Sequence, residues 1–157
     1  MKCYVGLPCD NIEIISKQIY QFLKEKTNIL DTTIYGWHFI NCKDLLDSAP
    51  ELFDYFKKSK LVPRHAAVTI ITDDTHLGRH IDEKPVIAKI NFPVSNTTGW
   101  ANRWYVNDEL IAELLDMMQP IVFNSQIEHS VEKTTATEVP RIVASFTFYN
   151  EPLKCLE

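Results

Sequence analysis

Residues 78–82, Gly78-Arg79-His80-Ile81-Asp82, separate two strand-like segments of the chain. The segment before them is Ala67-Val68-Thr69-Ile70-Ile71-Thr72, and the segment after them, 86–94, is also rich in β-branched and apolar residues. Side chains two positions apart in an extended strand lie on the same face. His80 and Asp82 can therefore direct an imidazole nitrogen and a carboxylate oxygen at one point, which predicts part of a metal site.

A second histidine lies downstream and can complete this site. His129 stands in a strand-like segment that begins at Ile121, directly after Pro120. Two histidines and one carboxylate on the same side of an ion leave other coordination positions open, as non-haem Fe(II) sites require. The His-x-Asp tripeptide alone is weak evidence for a metal site, and it gains weight from its position between strands.

An arginine follows His129 at the start of the clearest strand-like stretch, residues 141–149. A guanidinium can bind a carboxylate through two parallel hydrogen bonds, so Arg141 is a candidate anion clamp. Lys89 and Arg103 are alternative anchors on other strands. Asn91 shares a strand face with Lys89 and can line a pocket, although a buried asparagine can equally have a structural role.

Composition limits the class of protein. A chain of 157 residues is expected to form one domain, and its net charge of −5 argues against nucleic-acid binding, which needs clustered Lys and Arg. Four cysteines without Cys-x-x-Cys spacing indicate reduced thiols rather than a disulfide framework. No stretch approaches membrane-spanning length, and no basic start precedes a long apolar run. We therefore expect a soluble, cytoplasmic protein without a membrane partner.

Local patterns predict helices early and strands late. We expect a short strand at 2–7, a helix at 11–26 with Asp10 or Asn11 as its cap, a strand at 34–40, and two helical pieces within 44–60, the second opened by Pro50. Beyond Leu61 the pattern is mostly strands. One further helix is predicted at Asn107–Met118, where leucines and isoleucine recur at three- and four-residue steps.

This order of elements predicts a mainly β fold with flanking helices. The expected architecture is a double-stranded β-helix, a jelly-roll (cupin-like) barrel, in a single domain of residues 1–157. Residues 1–62 would form a helical and strand buttress, and residues 63–151 would form the jelly-roll core that carries the site.

The order of His80-Ile81-Asp82, the distant His129 and Arg141 resembles the Fe(II)/2-oxoglutarate-dependent oxygenase superfamily. The resemblance covers about residues 66 to 150, and the run from Lys89 to Asn96 is similar to small bacterial and phage members near the aspartyl/asparaginyl hydroxylase-like branch. Many members carry Arg-x-Ser, whereas here the serine follows four residues later, at Ser145. On a strand it still shares the face of the arginine.

The resemblance implies a dioxygenase, an oxidoreductase that hydroxylates a substrate while 2-oxoglutarate is converted to succinate. It implies Fe(II) bound by His80, Asp82 and His129, and 2-oxoglutarate bound by Arg141 with Ser145. Asn91 is a further candidate for holding this cofactor. The substrate stays open among an amino acid, a peptide side chain, a nucleobase and another small metabolite.

Two weaker patterns remain. Trp100 and Arg103 lie near a predicted hairpin and are candidates for substrate contact, because loops commonly carry recognition, although barrel packing is a competing explanation for the tryptophan. A second hypothesis for the whole chain is a jelly-roll metal-binding or structural module without oxygenase turnover. The same three ligands suit Zn²⁺, whose catalytic sites also combine three protein ligands with water.

Overall fold

The computed structural model describes residues 1–31, 36–72 and 76–157. These residues contain ten strands and three α-helices. In chain order the elements are β1 (Tyr4–Gly6), α1 (Ile12–Lys26), β2 (Gly36–Ile40), α2 (Cys42–Ser48), α3 (Pro50–Lys58), β3 (Pro63–Ile71), β4 (Leu77–His80), β5 (Ala88–Ser95), β6 (Trp100–Val106), β7 (Glu109–Leu115), β8 (Ile121–Asn124), β9 (Glu128–Lys133) and β10 (Arg141–Phe148), with short 3-10 helices at Ile29–Asp31 and Leu153–Leu156.

The strands form two antiparallel sheets. The six-stranded sheet has the order β1-β8-β5-β10-β3-β2, and the four-stranded sheet has the order β4-β9-β6-β7. From β3 onward the chain passes back and forth between the two sheets, which is the connection pattern of a double-stranded β-helix. The predicted jelly-roll fold, mainly β with flanking helices, is confirmed. None of the described helices is long and apolar enough to cross a membrane.

The helices cover one face of the six-stranded sheet, and the four-stranded sheet faces the other. Along β10, Phe146 and Phe148 point to the helices, where Phe56 of α3 packs with ring centroids 5.1 and 5.2 Å from theirs. Arg141 and Val143 occupy alternate positions and line the space between the sheets. The alternation of β10 therefore carries polar side chains into this space while its other face stays apolar.

The helix predicted at Asn107–Met118 is wrong, because this segment forms the second strand of a hairpin. Asn107 and Asp108 have positive φ angles of 51° and 65°. Two successive left-handed residues form the tight turn that joins antiparallel strands, and a right-handed helix cannot pass through them. In the resulting β7, Ala112 and Leu114 are partly buried against the core. The alternation of side chains along the strand, and not helical spacing, therefore determines which residues face inward.

The other predicted elements agree with the structure apart from their bounds. The strand expected at 34–40 is β2, Gly36–Ile40, while Ile34 and Tyr35 lie outside the described residues. Pro50 opens α3 as predicted. Asn11 is the N-cap of α1, but its side chain makes no capping hydrogen bond and donates instead to Glu51 at 2.9 Å.

Asn41 links β2 to α2, and its replacement should have a modest, measurable cost. Its side-chain oxygen accepts a hydrogen bond from the backbone N–H of Asp44 at 3.0 Å, which caps the helix. We expect Asn41→Ala to lower the free energy of unfolding by about 1 kcal/mol, and Asn41→Asp to retain stability because a carboxylate caps equally well. Urea unfolding followed by circular dichroism measures both. Equal stability of Asn41→Ala and the native chain would contradict this role.

Candidate metal centre and cavity

The strands β4 and β9 bring the three predicted ligands together. His80 and His129 are directly opposed in the register of this pair, with ring centroids 4.3 Å apart. Asp82 follows β4 by two residues, and its Oδ1 lies 3.4 Å from His80 Nε2 and 3.6 Å from His129 Nε2. One ligand atom from each residue lies within 4.8 Å of the others. Three donor atoms therefore face one point.

Backbone contacts fix the protonation of both imidazoles. His80 Nδ1 lies 2.7 Å from the carbonyl oxygen of Gly78, and His129 Nδ1 lies 2.7 Å from that of Ile127. A carbonyl oxygen only accepts hydrogen bonds, so each Nδ1 must carry the proton and donate. In the neutral ring this leaves the Nε2 lone pair free on the side that faces Asp82. Such a second hydrogen bond is typical of metal-binding histidines.

Asp82 is held by its backbone as well as its side chain. Its N–H donates to the carbonyl of Ser125 at 3.0 Å, and its own carbonyl accepts from Gln126 Nε2 at 3.0 Å. Lys89 Nζ donates to Oδ2 at 2.8 Å. Because the lysine occupies Oδ2, Oδ1 is the oxygen left to face the histidines.

The electrostatics keep Asp82 ionised. Burial by itself would raise the pKa of this carboxyl, but favourable interactions of the carboxylate with the side chains of His129, His80 and Lys89 outweigh burial and hold the pKa well below its usual range. The nearby carboxylate of Asp82 favours the protonated ring and raises the pKa of His80. The site thus presents a stable negative charge between two imidazoles.

These residues open into a cavity of about 530 Å³ between the two sheets. Its volume lies within the range that suits small ligands. Apolar residues of both sheets form much of its wall: Leu77, Trp104, Ile121, Phe123, Val131 and Val143. The cavity can therefore hold a small molecule beside the three donors and shield it from water.

Arg141 is a buried cation that lines this cavity. Its residue is 2% exposed, and burial lowers the pKa of its guanidinium to about 10. Its Nε has no hydrogen-bond partner, and no ion pair to it is found among the described residues. Its Cζ lies 5.8 Å from the ring centroid of Trp100. A buried charge without a partner is costly, so a carboxylate entering the cavity would relieve this cost.

Asn91 and Ser145 also line the cavity, and they lie opposite each other on β5 and β10. Asn91 Oδ1 is buried and has no hydrogen-bond partner in the described part of the chain. Ser145, however, is four residues from Arg141 along the strand, which corresponds to roughly 13 Å. Ser145 and Arg141 do share one face of β10, but Ser145 lies beside Asn91 and not beside Arg141. The structure therefore does not favour Ser145 as a second grip on the same carboxylate.

Asn102 is a cavity residue that the sequence analysis missed. It is 7% exposed, and its Nδ2 is buried with no hydrogen-bond partner within residues 1–31, 36–72 and 76–157. On β6 it lies two residues from Trp104, which is opposite His129, and two residues from Trp100, which lies near Arg141. A ligand that reaches from the histidines to the arginine would pass this amide. The available signal was a polar residue at the inward-facing position between two tryptophans.

Trp100 and Arg103, predicted as substrate contacts, do not line this cavity. Trp100 is fully buried in a cluster with Ile71 and Val131, because β6 begins at this residue and directs it inward. Arg103 points to the opposite face of β6. It forms ion pairs with Glu113 and Glu132 on neighbouring strands.

Lys89 was an alternative anion anchor, and its contact with Asp82 allows a direct test. A positive charge a few ångströms from a divalent ion opposes binding by several kcal/mol at an effective dielectric constant near 20, although a lysine can swing away. We expect Lys89→Met to bind Zn²⁺ about tenfold more tightly than the native chain, as measured by competition with a chromophoric chelator. Weaker binding in Lys89→Met would mean that orienting Asp82 is the dominant role of the lysine.

Comparisons with known proteins bear on the fold. No protein-family model matches the chain, and no curated protein matches it significantly. Among solved structures it is similar to the viral collagen prolyl hydroxylase of Paramecium bursaria Chlorella virus-1 in its 2OG complex, with a TM-score of 0.59 and 11% identity over 92% of this chain and 94% of that chain. A Pseudomonas putida prolyl-4-hydroxylase matches with a TM-score of 0.55 and 11% identity over 94% and 92%. The chain therefore shares the fold of these hydroxylases over nearly its whole length.

Proposed function

We propose that this protein is an Fe(II)- and 2-oxoglutarate-dependent oxygenase, a dioxygenase that hydroxylates its substrate. One observation carries the proposal: a facial set of two histidines and one aspartate lines the same cavity as a buried guanidinium that has no ion-pair partner among the described residues. The fold, shared with two prolyl hydroxylases, supports it. The substrate in this reading is a small molecule or a peptide.

The donor set fits a divalent metal. His80 and His129 each offer a neutral Nε2, and Asp82 offers one anionic oxygen. Two imidazoles and one carboxylate suit Fe(II), and because the three come from one side they leave positions for other ligands. Zn²⁺ would fit the same three atoms.

The polar groups of the cavity fit a dicarboxylate. Arg141 offers a fork of donors for one carboxylate, and Asn102 offers an unpaired amide N–H between the arginine and the histidines. Asn91 and Ser145 lie on the six-stranded sheet with Arg141, across the cavity from Asn102, and can contact either ligand. These side chains would bind and orient 2-oxoglutarate, and the bound metal with 2-oxoglutarate would supply oxygen activation coupled to decarboxylation to succinate.

The wall of the cavity has a separate role. Phe123 packs edge-on against His129 with ring centroids 5.5 Å apart, and Trp104 and Val143 belong to the same apolar cluster as Phe123. This cluster fixes the histidine ring and keeps water from the side of the donors that faces the core. Exclusion of water strengthens the electrostatic interactions inside the site.

Anaerobic titration tests the proposal directly. Fe(II) and then 2-oxoglutarate are added without oxygen, and the chelate of the two in the site should give a visible charge-transfer absorption band. Admission of air should then yield succinate above a boiled control. Metal binding without the band and without succinate would overturn the oxygenase proposal and favour the metal-binding module.

A further inference from the structure

Two exposed aromatic residues stand at the rim of the cavity. Trp37 is 52% exposed and Phe39 is 70% exposed, and their rings pack edge to face with centroids 4.2 Å apart. Both line the same cavity as His80 and Asp82. We call Trp37 and Phe39 the rim pair. Neither residue has a role in holding the metal or 2-oxoglutarate, so their exposure needs another explanation.

The register of β2 explains why the rim pair faces the cavity. Trp37 is opposite Thr69 of β3, which also lines the cavity, and Phe39 is opposite Ala67. The alternate residue Ile40 packs instead against the helix side of the sheet. The four-stranded sheet has two strands fewer than the six-stranded one, and Trp37 and Phe39 remain largely exposed on the cavity face of β2.

The same strand ends the six-stranded sheet. β2 pairs with β3 on one side, and no described strand pairs with it on the other. In an edge strand, half of the backbone N–H and C=O groups point away from the sheet and can pair with an added strand. Residues Gly36–Ile40 therefore offer backbone hydrogen bonds directly beside the rim pair.

The charges around the cavity describe what kind of molecule would suit it. Its charged lining residues are two acidic and two basic: Asp82, Glu83, Lys89 and Arg141. The two positive charges of a divalent metal would also balance the two negative charges of 2-oxoglutarate. The described lining therefore has no surplus of positive charge for a polyanion such as nucleic acid. An uncharged partner matches it best.

Resting on the proposed function, we propose that the substrate is a residue within an extended, uncharged peptide that pairs with the free edge of β2 and packs an apolar side chain on the rim pair. A small-molecule substrate would be enclosed by a cavity of this size. The rim pair lies at the exposed border of the cavity and the free edge of β2 lies beside it, so together they serve a ligand that continues beyond the cavity. Backbone pairing supplies affinity in this mode, and the side-chain contact supplies specificity.

Tryptophan fluorescence reports on the rim pair selectively. The chain has three tryptophans, of which Trp100 and Trp104 are 0% and 2% exposed. Quenching by acrylamide therefore acts mainly on Trp37. The probe is a capped pentapeptide, acetyl-Ser-Ala-Phe-Ala-Ser-amide, compared with the same peptide carrying serine in place of phenylalanine. We expect the phenylalanine peptide alone to protect Trp37 from quenching at about millimolar concentration. Equal protection by both peptides, or none, overturns the proposal.

Variants distinguish specific binding at the rim pair from nonspecific hydrophobic binding. Phe39→Ala, followed by fluorescence, and Trp37→Ala, followed by calorimetry, should each weaken binding of the phenylalanine peptide at least tenfold. The matched control is Phe53→Ala, which removes a 48% exposed phenylalanine from α3, away from the cavity. It should bind the peptide as the native chain does. A similar loss in Phe53→Ala and Phe39→Ala would overturn the assignment.

Two further arms test the peptide itself. The pentapeptide N-methylated at alternate residues keeps its side chains but loses donors for the edge of β2, and it should bind at least tenfold more weakly. N-acetyl-phenylalaninamide should also bind more weakly, since a single residue cannot pair along the strand. Equal binding of either compound overturns the peptide assignment. Because these readouts need neither iron nor succinate, their failure is distinct from failure of the oxygenase proposal.

Discussion

Asp82→Ala is expected to lower the affinity for Fe(II) or Zn²⁺ by more than about 100-fold and to abolish succinate formation. Loss of a residue that merely supports a metal ligand typically costs 10- to 100-fold, so removal of the anionic ligand itself should cost more. Asp82 is the one carboxylate of the triad, and the side chains around it hold its pKa low, so it supplies the negative charge that faces the two histidines. Competition with a chromophoric chelator measures the affinity.

Two companion variants make this result specific. Asp82→Asn keeps the shape of the side chain and its partner atoms but removes the charge, so it should show most of the loss without a packing change. Glu83→Ala removes the adjacent, exposed carboxylate, which also lines the cavity but makes no contact with either histidine. It should retain native metal affinity. Equal losses in Glu83→Ala and Asp82→Ala would mean that general negative charge, and not the triad, binds the ion.

The sequence was sufficient for the parts of the site that depend on strand geometry. His80 and Asp82 share a face because side chains alternate in extended chain, and this holds whatever surrounds them. The approach of His129 to these two residues depends on tertiary structure, because it requires the pairing of β4 with β9. The spacing of the residues does not predict this approach. It was suggested only by the resemblance to a family with the same order of residues.

The parts that failed depended on partners that local patterns do not contain. The segment at Asn107–Met118 has helical spacing of apolar residues, but two left-handed residues and pairing with β6 override it. Asn102 was missed, and the burial of Trp100 outside the cavity lining was not anticipated, because only the facing sheet decides whether an inward position is core or cavity wall. The rim pair, which remains largely exposed on the cavity face of β2, was missed for the same reason.

Arg141→Ala is expected to weaken 2-oxoglutarate binding by about 2–5 kcal/mol, roughly thirty- to several-thousand-fold, while metal binding survives. The guanidinium is buried, without an ion-pair partner in the described part of the chain, and all three metal ligands lie on other elements. Arg141→Lys should recover only part of the loss, because an ammonium group cannot reproduce the two-pronged contact. Anaerobic titration of 2-oxoglutarate into the Fe(II)-loaded proteins measures each affinity.

Substitution of Arg141 also has a second expected effect, on the stability of the protein. A buried charge without a partner destabilises the ligand-free protein, so Arg141→Met, which keeps much of the apolar stem, should unfold at an equal or higher urea concentration than the native chain. With metal already saturating, further addition of 2-oxoglutarate should raise the melting temperature of the native chain and not that of Arg141→Met. Arg103→Ala, which lies outside the cavity, is the control and should keep native affinity. If Arg103→Ala loses affinity and Arg141→Ala does not, the carboxylate clamp lies elsewhere.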